Sequence, residues 1–204
     1  MTTNEYYFTS RWRVEGTCGE VADILGDPLS LPGWWPSVYL EVRQLEPPDA
    51  RGVGRRVALV TKGWLPYTLR WEFHVVESRY PHGYTIEANG DFDGRGVWVF
   101  EQVGRFVEAT YDWRLRVEKP LVRRLSFLLK PLFEANHRWA MARGEESLKL
   151  ELLRRRATSD AARGAVPVPP GPVTYSGAAL VAGAAAIGGA LAYLIVRSRR
   201  KSSD

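Results

Sequence analysis

The sequence is poor in the residues that most often carry chemistry. Among 204 residues there is one cysteine, Cys18; it cannot form an internal disulfide, which fits a reducing compartment. The three histidines, His74, His82 and His137, are scattered, and none has metal-ligand spacing. No phosphate-cradling glycine loop or nucleophile elbow accompanies them. Neither a metal nor a cofactor is expected. The opening MTTNEYYFTSRWRVEG lacks the apolar core of a secretory signal. The net charge is +5, but residues 164–204 hold four bases and one acid, or +3, which leaves about +2 on the remainder. Acids and bases intersperse there, so no nucleic-acid partner is expected.

Against these shortages stands one long uncharged run, GAALVAGAAAIGGALAYLIV, from Gly177 to Val196. With Tyr175 and Ser176 it reaches about 30 Å as a helix, the depth of a bilayer core. It is apolar on all sides, carries Tyr175 and Tyr193 near its ends, and is followed by Arg197, Arg199, Arg200 and Lys201. Residues 175–196 therefore read as a single-pass, C-terminal membrane anchor, and 197–204 as a basic tail. The tail argues for one orientation, but a short tail crosses a membrane more easily than a domain, so the domain is expected on the cytoplasmic side. The spacing of Ala184, Gly188 and Ala192 suits helix pairing, which leaves a homodimer through the span open.

Residues 157–174, rich in Ala, Pro and Gly, read as an extended linker. Residues 4–156 hold all eight tryptophans and are the size of one domain. Within them, Tyr6, Phe8, Trp12 and Val14 alternate as in a half-buried strand. Thr17 and Glu20 form a capping-box pattern ahead of a short helix. LSLPGWWPSV, broken by Pro32, Gly33 and Pro36, holds little more than one helical turn. Six alternating segments follow from Val38, joined by short turns that imply antiparallel hairpins. From Pro120 to about Arg156 apolar residues recur at helical spacing, with Pro131 inside the run. Leu125, Leu128, Leu129 and Phe133 belong to that pattern, as do Ala140, Leu148 and Leu152.

This order, and the stretches WRVEGTCGEVADILGDPLSLPGWWPSV, GRGVWVFEQVGRFVEATYDWRLRVEKPL and NHRWAMARGEESLKLEL, resemble the START-like superfamily, in particular its polyketide cyclase/dehydrase-like group. The resemblance covers Tyr6 to Leu153 and implies an α+β helix-grip fold. A curved antiparallel sheet of about seven strands would wrap a long C-terminal helix, with an apolar cavity between them and the membrane helix separate.

Leu59, Trp71, Phe73, Tyr111, Trp113 and Phe133 fall on expected inward faces and together suit a ligand pocket. Trp34 and Trp35 are adjacent on a one-turn segment, so only one of them is expected inward, with the other at the cavity mouth. Asn136 and His137 lie by the inward stripe of the final helix and need polar partners, from the core or from a ligand. Gly144 is expected to mark close packing of that helix on the sheet. Two functions remain open: membrane-anchored binding of a hydrophobic small molecule (lipid, isoprenoid or polyketide-like) without catalysis, or a cyclase/dehydratase-type enzyme in which His137 works with Tyr111 or Glu101.

Overall fold

The computed structural model describes residues 5–116 and 120–175, the side chains of 120–129 excepted. The chain divides into two units, Met1–Pro172 and Val173–Asp204. Residues 176–196 of the expected span and the basic tail lie outside the described residues, as do the side chains of Leu125, Leu128 and Leu129. Among the described residues, no helix is long and apolar enough to cross a membrane.

The first unit begins with strand β1 (Glu5–Glu15), helix α1 (Cys18–Leu25), a 3-10 turn (Pro28–Ser30) and the four-residue helix α2 (Leu31–Trp34). Six strands follow: β2 (Tyr39–Glu46), β3 (Arg56–Lys62), β4 (Thr68–Ser78), β5 (Gly83–Gly90), β6 (Asp93–Val103) and β7 (Phe106–Arg116). Helices α3 (Pro120–Arg156) and α4 (Asp160–Ala165) complete it. All seven strands form one antiparallel sheet in the order β1-β7-β6-β5-β4-β3-β2. Short connections enforce the hairpins from β2 to β7, and β1 then pairs with β7 over its whole length. Register shifts in β2 and β4 add the irregularity that bends strands. The helix-grip arrangement expected above is thus present.

Alternation separates the two faces. Tyr6, Trp12 and Val14 of β1 are buried, while Tyr7 is exposed. On the convex face charged residues pair across strands, as in Glu46–Arg56–Glu72 and Arg95–Glu87. At α1 the capping box forms as expected: Glu20 N donates to Thr17 Oγ1, and Thr17 N donates to Glu20 Oε2 at 2.8 Å. Glu20 also takes a two-pronged contact from Arg156, at 2.7 and 2.8 Å, which fastens the end of α3 to the start of α1. The guanidinium holds the Glu20 pKa down to about 2.

Helix α3 packs against β1, α1 and α2. Its inward stripe changes character along its length. Leu148 and Leu152 are fully packed, whereas Phe133, Asn136, His137 and Ala140 face open space between helix and sheet. The change comes next to Gly144, and here the expectation needs correcting. An added Cβ would lie 2.6 Å from Trp35 Cε2, so the glycine makes room for an indole from the α2 segment, not for the sheet.

The linker is also corrected in part. Ser159 Oγ accepts from Ala162 N at 3.1 Å and starts α4 inside a stretch read as extended. Arg154 donates to Pro167 O at 3.0 Å, and Pro169 is buried. A serine cap ahead of an alanine-rich sequence supplies the helix that a count of large apolar residues misses.

Candidate functional site

Two adjoining chambers lie between the sheet and α3. The upper one, about 580 Å³, opens among α1, the 3-10 turn and the turns before β3 and β5. The lower one, about 490 Å³, opens between the β3–β4 turn and the middle of α3. Both fall within the usual size of small-molecule sites. They share Trp35, Tyr39, Trp71, Tyr111 and Met141 as a common wall.

That wall belongs to a belt of aromatic rings. Successive centroid distances are 5.1 Å for Tyr39–Trp35, 5.4 Å for Trp35–Trp12 and 5.0 Å for Trp12–Trp98. The belt continues through Trp98–Tyr111 at 4.4 Å, Tyr111–Trp113 at 5.6 Å, Trp113–Phe92 at 5.9 Å and Phe92–Trp71 at 5.3 Å. Such spacings suit stacked and edge-on ring pairs. Thr61 links the two ends: it lies opposite Tyr39 in the β2–β3 ladder and accepts from Trp71 Nε1 at 2.9 Å. Gly96 of β6 makes the belt sterically feasible, since a Cβ there would come within 2.9 Å of the Trp113 ring directly across the ladder.

The belt's hydroxyls are open to hydrogen bonding. The Tyr39 and Tyr111 hydroxyls make no hydrogen bond among the described residues, and the buried Tyr6 hydroxyl in the lower chamber makes none either. Burial raises all three phenol pKa values, and it raises that of Tyr67 at the lower mouth to about 12. Each is a neutral donor and acceptor. Tyr84, in the upper chamber, differs in donating to Leu25 O at 3.1 Å.

His137 faces the lower chamber with Nε2 3.2 Å from Ser10 Oγ and its ring stacked on Phe8 at 4.5 Å. Burial pushes its pKa down to about 4, so the ring is neutral at physiological pH. Asn136 Oδ1 accepts from Leu65 N at 3.3 Å, and its carboxamide fills the space over Gly63. Its partner is therefore the backbone of the β3–β4 turn.

Of the residues expected to line a pocket, Trp113, Phe133, Asn136 and His137 line the lower chamber, Phe73 the upper, and Trp35, Trp71 and Tyr111 both. Leu59 and Trp34 are buried but line neither. The expectation that only one of Trp34 and Trp35 turns inward is wrong: they are 1% and 3% exposed. Trp35 has left the helix (φ −125°, ψ 52°), so helical geometry no longer drives the two rings apart, and Gly144 accepts the second ring. Neither indole sits at a mouth; Trp35 stands in the partition. Glu101 is exposed and lies outside both chambers, so its pairing with His137 is excluded. Sequence reasoning singled out neither Tyr39 nor Trp98, nor the charged rim of the upper chamber.

At the level of sequence, no family model and no curated protein matches the chain. Solved structures do resemble it in fold. The Zhui aromatase/cyclase from Streptomyces sp. R1128 superposes with a TM-score of 0.61 at 12% identity, over 76% of this chain and 98% of that one. A protein from Thermus thermophilus gives 0.59 at 15% identity, over 74% and 100%. Norcoclaurine synthase from Thalictrum flavum, in complex with a transition-state analogue, gives 0.52 at 13% identity, over 77% and 99%. At these identities the likeness is one of fold.

Proposed function

We propose that the chain binds an oxygen-bearing hydrophobic small molecule in the space between sheet and α3, without transforming it. The observation that carries this is the aromatic belt around two adjoining chambers, whose phenols can meet a carbonyl, ether or hydroxyl. Apolar walls give affinity, and a few hydrogen-bonding groups fix orientation. A lipid, isoprenoid or polyketide-like compound has this character. Trp71, Trp113 and Phe133 supply contact area, with Tyr111 and Tyr39 as polar contacts. Asn136 shapes the mouth, and Trp34 and Leu59 act from behind the wall.

A cyclase or dehydratase is the second reading, favoured by the solved neighbours named aromatase/cyclase and norcoclaurine synthase. Proton-transfer chemistry is disfavoured by the groups on hand. An imidazole with a pKa of about 4 is a weak base, and phenols shifted above their usual value are weak acids. Hydrogen bonding, not proton abstraction, is what they do well.

Residues 175–196 in this reading tether the domain of residues 4–156 to a membrane from its cytoplasmic side, where a membrane-dissolved ligand is concentrated. The uncharged run supports the tether, and the ease with which a short tail crosses a membrane supports the cytoplasmic side against the pull of the basic residues. External protease on intact cells should spare the domain, and its digestion would reverse the orientation. For the ligand, native mass spectrometry of the full chain should show a copurifying non-covalent mass of a few hundred daltons, lost in Trp113→Ala. Turnover of an added oxygenated chain into a cyclised product would instead install the second reading.

A further inference from the structure

We propose that the upper chamber is a head-group site for an anionic amphiphile, with Arg55 as the residue that receives a carboxylate or similar anionic oxygen. The inference rests on the reading of the chambers as a hydrophobic ligand site and adds a charged end to it. Four charged residues line this chamber: Asp23, Asp27, Arg51 and Arg55. Arg51 is paired with Asp49 at 3.5 Å, and Asp23 takes a hydrogen bond from the Tyr80 hydroxyl. Among the described residues Arg55 has no carboxylate partner. Its Nη1 donates to Gly26 O, the cap of α1, at 2.8 Å, which holds the guanidinium in place, while its Nε is buried without a partner among those residues. The guanidinium lines the chamber with no carboxylate of the described residues against it, and an anionic oxygen from a ligand meets it there with a charge-assisted bond.

The chamber wall then sets the orientation. Beyond the charged rim lie Phe73, Val75, Ile86 and Trp98, leading to the belt. An amphiphile held at Arg55 lays its chain over these residues up to the shared wall at Trp71 and Tyr111. Asp27, on the same rim, opposes a second negative charge and so favours a single small anionic group over a polyanion.

The test displaces the neutral probe N-phenyl-1-naphthylamine from the full chain at pH 8 with dodecanoic acid or methyl dodecanoate, below micellar concentrations. The acid should compete about tenfold more tightly than its ester, and in Arg55→Gln it should fall to the ester's level. Ala22→Phe, which fills the upper chamber without touching the charge, should weaken the acid by a similar factor and serves if Arg55→Gln fails to fold. Equal competition by acid and ester in the native chain overturns the head-group site while leaving the hydrophobic site standing. An acid preference that survives both substitutions also overturns it. Failure of the probe to bind at all removes the underlying reading with it.

Discussion

The two chambers share one wall and differ at their rims. Three of the five shared residues, Tyr39, Trp71 and Tyr111, stand on strands, where side-chain direction alternates, while Trp35 follows α2 and Met141 belongs to α3. The upper rim comes from α1, the 3-10 turn and the β-turns, and carries charge. The lower rim comes from the β3–β4 turn and α3, and is stitched by Asn136 and by the His137–Ser10 contact. A ligand therefore meets the same belt from either side but a different polar environment at each entrance.

The comparison breaks most completely if the shared wall is disturbed. Gly144→Leu drives a side chain into the Trp35 ring and should destabilise the chain by about 3 kcal/mol in urea unfolding. Probe binding should fall in both chambers, because Trp35 belongs to each. A stable variant with unaltered binding would mean that the partition does not depend on this notch.

Between about pH 6.5 and 4, protonation of His137 should act on the lower chamber. His137 titrates at about 4 in the folded chain against 6.5 in the reference state. Between those values the unfolded chain binds the extra proton. The neutral ring's contribution is therefore complete above about pH 6.5 and lost as pH falls to about 4. His137→Phe should flatten that stretch of the stability–pH curve by on the order of 3 kcal/mol. Below it, loss continues as Glu20 is protonated between 4.5 and about 2. An unchanged curve in the variant would place the imidazole in water.

Smaller effects sharpen the difference between the rims. Asn136→Ala removes the acceptor for Leu65 N and should cost about 1 kcal/mol, with faster hydrogen exchange confined to the β3–β4 turn. Uniform acceleration across the sheet would contradict a local role. Tyr111→Phe should change stability by less than about 0.5 kcal/mol, since the hydroxyl has no hydrogen-bond partner among the described residues to lose. A large loss would reveal a partner inside the fold and remove the phenol from the set of ligand contacts.

How legible each region was in the sequence follows the same division. Trp71, Phe73, Tyr111 and Trp113 were readable because strand alternation fixes their face, and the long helix because its apolar residues recur at three and four. Glu101 was misread against that same signal: Trp98 and Phe100 turn inward on β6, so the next residue turns out. The upper rim was illegible because its side chains come from turns and short helices with no periodicity to orient them. Gly144 and Trp35 lie far apart in sequence, and no local pattern announces that one makes room for the other. The capping box at Thr17 was legible as spacing; the hold of Arg156 on it was not.

The central claim is that the concave face of the sheet holds a hydrophobic molecule, and its most direct test is titration of the full chain with N-phenyl-1-naphthylamine, following probe emission and tryptophan quenching together. Saturable binding with tryptophan quenching is predicted, weakened about tenfold by Trp113→Ala and left nearly unchanged by Tyr7→Ala on the convex face. Absence of saturable binding, or equal sensitivity to the two substitutions, would contradict it.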